Sequence, residues 1–305
     1  MYKIVSFLAL AIACSAVPLD VDEQSNRISG GGYAANLQFP FMASLQRIFN
    51  NQAVPTRGHR CGGALITFQH VLTAASCLYE WNADGTRSPI STANYRVFAG
   101  AHQLTNDTSA DRVRTILQYT EHPEYLGIPS YLNDIGVITL TVPFPNTVVT
   151  PIALPAASYN PRDDLSCTVA GWGALNNNPT SLASVDLKFA AKYIYNQEMC
   201  TNVYNTQHGM PNIRNTMVCA ASYDIVSSGC VSDEGNPLIC DGVLTGILAL
   251  HGNCAASSYP EIYTRVNNYT SFIRGVTGSA NTFTPGASIL ILLTLTQMAF
   301  ASLLS

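Results

Sequence analysis

Nine cysteines are spread along the 305 residues, and no two of them stand as Cys-x-x-Cys. That spacing speaks against a zinc site or a redox pair, which need two thiols close together on one turn. No metal and no cofactor is expected. Cys14 ends an N-terminal stretch in which Lys3 precedes an apolar run from Ile4 to Ala13, and small residues follow as Cys14-Ser15-Ala16. This is the pattern of an export signal cut after Ala16. Cys14 leaves with the signal. The remaining eight, on an oxidising route, read as a disulfide framework. Asn106-Asp107-Thr108 and Asn268-Tyr269-Thr270 are glycosylation acceptors in such an exported chain.

The elements that must carry these groups are short. Ala64-Leu65-Ile66, Tyr95 to Ala99, Gly136 to Leu140, Cys167 to Ala170 and Leu244 to Leu250 are apolar runs of the β-branched, period-two kind, broken by Gly, Pro, Asn and Asp. Many short strands between turn signals predict an all-β sandwich or barrel, and pattern alone does not choose between them. Helical spacing is confined mainly to Val266–Val276, where Phe272 and Ile273 can dock a final helix. At 47% hydrophobic, the chain can fill a sizeable core. With 11% charged residues and a net charge of -4 it carries no basic field, which excludes nucleic acid as a partner.

Four stretches, in order, resemble the chymotrypsin/trypsin-type serine protease family. Arg27-Ile28-Ser29-Gly30-Gly31 is similar to its activation junction. Cys61-Gly62-Gly63-Ala64-Leu65-Ile66 with Val71-Leu72-Thr73-Ala74-Ala75-Ser76-Cys77 is similar to the segment of the catalytic His. Asn133-Asp134-Ile135-Gly136 resembles the segment of the catalytic Asp, and Cys230 to Leu238 the nucleophile loop. Gly171-Trp172-Gly173 and Tyr263-Thr264-Arg265-Val266 support the match. The resemblance implies two six-stranded antiparallel β-barrels with a C-terminal helix and a cleft between the barrels. It also implies the pairs Cys61–Cys77, Cys167–Cys240, Cys200–Cys219 and Cys230–Cys254.

Carried over residue by residue, the resemblance puts Ser76 at the position of the catalytic His, Asp134 at the Asp and Glu234 at the nucleophilic Ser. Ser232 falls where a Gly lends its N–H to the oxyanion hole. Asp134 and Glu234 are expected either to be separately satisfied or to face each other across the vacated space. His251, near the cleft entrance, is read as a surface histidine. Ser228 falls at the base of the specificity pocket, which implies an apolar or small guest. Arg27, Ile28 and Asp233 retain the activation switch, in which a freed Ile28 amine pairs with Asp233.

No charged residue follows Arg274. Gly278-Ser279-Ala280, a polar spacer to Gly286 and an apolar run from Ala287 to Leu304 resemble a signal for glycosylphosphatidylinositol attachment at Gly278 or Ser279. The expected organisation is a signal at 1–16, a propeptide at 17–27, a trypsin-like domain at 28–276 and a hydrophobic tail at 277–305. The altered triad leads to the expectation of a non-catalytic homologue. As such it would be no enzyme but an extracellular or cell-surface binding or regulatory protein engaging proteases, inhibitors or substrates. The alternative is an active serine-type endopeptidase of the family.

Overall fold

The computed structural model describes residues 31–49, 58–82, 86–105, 109–174, 181–206, 211–223, 229–252 and 259–278. In chain order the strands of the first half are β1 (Gly32–Tyr33), β2 (Met42–Arg47), β3 (His59–Thr67), β4 (His70–Thr73), β5 (Tyr79–Trp81), β6 (Arg87–Pro89), β7 (Tyr95–Ala99), β8 (Val113–Glu121) and β9 (Gly136–Leu140). The second half holds β10 (Ser166–Gly171), β11 (Lys188–Tyr195), helix α1 (Gln197–Asn205), β12 (Met217–Ala221), β13 (Pro237–Cys240), β14 (Val243–Leu250), β15 (Glu261–Arg265) and helix α2 (Thr270–Thr277).

Strands β2-β3-β4-β9-β8-β7 close into the first barrel. The second runs β11-β10-β13-β14-β15-β12 and closes through the pairing of β11 with β12, with β1 added outside β11. All of these ladders are antiparallel. The five runs picked out by sequence pattern lie within β3, β7, β9, β10 and β14. Closure is the solution these strands adopt because it leaves no sheet edge unpaired. Leu65, Leu72, Val97 and Ile138 fill the first barrel, and Val218, Leu238 and Tyr263 the second.

Helix α2 docks on the first barrel by Ile273, which is fully buried, with Phe272 packed beside it. It ends at Gly278, whose φ of 65° is the left-handed conformation that stops helices. Helix α1 was not expected from periodicity. Asn196 starts it by accepting a hydrogen bond from the Met199 N–H.

Disulfides join Cys61 to Cys77, Cys167 to Cys240 and Cys200 to Cys219, as the resemblance implied. Cys230 is disulfide-bonded, and its expected partner Cys254 lies outside the described residues. The Cys61–Cys77 link ties β3 to the short turn Ala75–Leu78 after β4, and so fixes the segment that carries Ser76.

Candidate active site

Ser76 and Asp134 meet although 58 residues separate them. The Ser76 N–H donates to Asp134 Oδ1 at 2.7 Å, and the Ser76 hydroxyl to Oδ2 at 2.9 Å. Asp134 is set by the bend before β9. There Asn133 takes a φ of 58°, the Asn133 amide donates to the Glu124 carbonyl, and the Tyr269 hydroxyl donates to Asn133 Oδ1. Thr264, on β15 of the other barrel, donates to the Asp134 carbonyl at 2.8 Å. The Asp134 carboxyl is wholly buried, and burial pushes it up to about 7, against the pull of Ser76 and the Ala75 N–H. The Glu234 charge adds to the rise. Asp134 is bonded to Ser76, and Glu234 lies against His251.

The loop between Cys230 and Asn236 carries the rest. Asp233 is buried and accepts from the N–H groups of Gly173 and Cys230, each at 2.9 Å, and from the Asn236 amide at 2.6 Å. A Cβ on Gly173 would lie 2.1 Å from the Asp233 carboxyl carbon, so Gly171-Trp172-Gly173 is the wall that Asp233 requires. Burial raises this carboxyl to about 6. Ser232 holds a φ of 71°, the conformation a Gly would take without strain. Gly235, at φ 84°, leaves room for the Gly62 carbonyl, and the Gly62 N–H donates to the Glu234 carbonyl at 2.9 Å. The loop of one barrel is thus bonded to β3 of the other.

Two histidines emerge that the sequence reading gave no role. His59 is buried, with Nδ1 on the Ser44 hydroxyl at 2.7 Å and Nε2 donating to the Ser232 carbonyl at 3.0 Å. Burial lowers it to about 4, so the ring is neutral. The surface reading of His251 is corrected: its side chain is only 13% exposed, and Nε2 lies 3.2 Å from the Glu234 carboxylate. Burial works against its charge, but Glu234 outweighs that and raises it to about 9. Glu234 in turn is lowered, because His251 overcomes the effect of burial. His59 stands on β3 of the same barrel as Ser76, near the Cys61–Cys77 link, whereas His251 follows β14 of the other barrel and meets Glu234 there.

Ser76, His59, Tyr131, Ser232, Glu234 and Leu250 line one open cavity of about 450 Å³ between the barrels. Among the described residues no cluster of His, Cys, Asp or Glu has the form of a metal site. Arg27, Ile28, Ser228 and Asn106 lie outside the described residues, and Asn268 is exposed.

A family model described as Trypsin matches residues 28–273. Trypsin alpha of Drosophila melanogaster is 31% identical over 90% of this chain and 97% of its own. Transmembrane protease serine 9 of Rattus norvegicus is 30% identical over 85% of this chain, which spans 23% of that protein. Among solved structures, human heparin binding protein covers 83% of the chain and 97% of its own at 27% identity and a TM-score of 0.65. Mouse neuropsin, a serine protease, covers 81% of the chain and 99% of its own at 28% identity and the same TM-score.

The expectation that the chain is no enzyme is overturned by these relatives, which are named as trypsins and proteases over most of its length. The physical reason is that the expectation counted residue types at two positions. It overlooked that the Ser76 hydroxyl, bonded to a carboxyl group that burial raises to about 7, remains at the cavity wall with the His59 imidazole. With its two barrels, its nucleophile-type loop and the match from residue 28 to residue 273, the chain belongs to the trypsin family.

Proposed function

We propose that the chain is a serine-type endopeptidase acting on polypeptides held in the cleft, with Ser76 as the nucleophile and Asp134 as its base. One observation carries this: the Ser76 hydroxyl donates to Asp134 Oδ2 at 2.9 Å, and burial places that carboxyl near 7. A base is most effective with a pKa near the working pH, and it contributes typically ~10²–10⁴-fold. Ser76 Oγ bonds to the scissile carbonyl carbon, its proton passes to Oδ2, and the carbonyl oxygen takes the electron pair. Collapse breaks the C–N bond, and Asp134 returns the proton to the leaving amine. Water repeats the sequence on the acyl-serine.

The test is to incubate the protein with an unfolded polypeptide and identify new termini by mass spectrometry. Termini made by the wild type and absent with Ser76→Ala support the reading. None from the wild type, or the same set from Ser76→Ala, contradicts it.

We further propose that the protein is exported, cut after Arg27, and carried at the cell surface on a lipid at Gly278 or Ser279, with glycans on Asn106 and Asn268. Three donors already surround the buried Asp233, so an Ile28 amine reaching it would complete its shell and hold it ionised. The remaining link is Cys230–Cys254, and Ser228 would leave the specificity pocket without charge. A mass spectrum of the mature chain is expected to begin at Ile28 and to contain no peptide beyond Ala280. A mature chain that keeps Arg27, or Ile289 to Leu295, contradicts this organisation.

A further inference from the structure

Two arginines, Arg47 and Arg60, stand on the cavity wall, and among the described residues Glu234 is the one carboxylate on it. Glu234 lies against His251. Arg47 is half exposed, and its Nη1 is 3.6 Å from a Glu80 oxygen that also accepts from the Tyr95 hydroxyl at 2.7 Å. So exposed a pair holds weakly. Arg60 is built in differently. On β3, between His59 and Cys61, it donates from Nε to the Cys77 carbonyl at 3.0 Å and from Nη2 to the Tyr79 carbonyl. Both acceptors are neutral backbone, and among the described residues no carboxylate lies within ion-pair distance of Arg60. The two bonds fix the guanidinium against the turn that carries Ser76, which the Cys61–Cys77 link already ties to β3. Two of its five N–H donors are used, and the pair at its end, on Nη1 and Nη2, can still grip a carboxylate through two parallel bonds. A fork fixed in advance gives up little freedom on binding.

We propose that Arg60 selects the substrate: its guanidinium receives the carboxylate of an aspartate or glutamate placed one or two residues from the bond that is cut. Position supports the spacing. Arg60 bonds to the residue that follows Ser76, and an extended chain advances about 3.3 Å per residue, so a side chain that close to the attacked bond is within its reach. Charge supports the choice of guest. A lysine or arginine at that place would meet a cation that no acid neutralises, whereas a carboxylate supplies the missing partner. Arg47, 5.4 Å from the Phe49 ring, adds a second positive charge nearer to solvent. The cutting belongs to the endopeptidase reading on which this inference rests, while the grip of Arg60 on a carboxylate can be measured without it.

Binding is followed by fluorescence anisotropy in the full chain carrying Ser76→Ala, which removes the proposed nucleophile. The probes are rhodamine-labelled, C-terminally amidated peptides of Ala and Ser with a single Glu, and the same peptides with Gln in its place. The Glu peptide should bind at least about tenfold tighter, the worth of one charge-assisted pair. Adding Arg60→Gln should bring the two peptides within about threefold of each other, whereas a merely structural role would weaken both alike and leave their ratio unchanged. Arg60→Lys keeps a charge without the fork; it serves if the glutamine variant fails to fold, and should give an intermediate ratio. Equal affinity for the two peptides while Arg60 is present, or a preference for Glu that survives both substitutions, overturns the inference. Failure of the endopeptidase reading would show separately, as no new termini from the wild type with the peptide preference intact.

Discussion

Replacing Lys192 by methionine is expected to lower the unfolding free energy by about 3–5 kcal/mol, the cost of leaving a buried charge without its partner. Lys192 Nζ lies 3.0 Å from Glu261 Oε1, and the two side chains are 1% and 3% exposed. Strand β11 alternates inward and outward, and its period puts Lys192 on the inward face with Ala190 and Ile194. The carboxylate on β15 also accepts from the Gly229 N–H and the Tyr263 hydroxyl, so it is held by hydrogen bonds as well as by charge. Those bonds do not neutralise it. The double variant Lys192→Met with Glu261→Gln removes both charges and should lie within about 1 kcal/mol of the wild type, because such pairs often break even against neutral packing. Denaturant unfolding of the wild type and the two variants decides the matter. A single variant costing under about 1 kcal/mol, or a double variant no better than the single, would show that the pair is not what holds Glu261.

The same pair shows where legibility ended. Strands such as Gly136 to Leu140 were readable because their apolar runs and turn residues are local signals, and the ordered motifs placed Ser76, Asp134 and Glu234 before any coordinates. Lys192 carries no local sign of burial; its partner is 69 residues away on another strand. The start of α1 depends on one capping Asn, which is a weak signal over nine residues. His251 could be located near the cleft but not assigned, since its ion pair exists only where the end of β14 faces the loop at Glu234. The largest error came from reading function off the loss of two residue types. Burial, which pushes the Asp134 carboxyl up to about 7, cannot be read from the identity of an aspartate.

Covalent capture of Ser76 is the most direct test of the catalytic proposal. A biotinylated alkyl fluorophosphonate should form an Oγ–P bond with loss of fluoride as the hydroxyl proton passes to Asp134. The reaction should accelerate as pH rises through about 7, because Asp134 must be ionised to accept the proton. Asp134→Asn removes the base and should slow capture by at least about 100-fold, the lower bound for losing a positioned base, and abolish the rise. Ser76→Ala should abolish capture altogether. The account predicts a phosphonate mass on the peptide containing Ser76, with a rate governed by Asp134. Absence of that mass between pH 6 and 9 in the wild type, or a rate indifferent to Asp134→Asn, would contradict it.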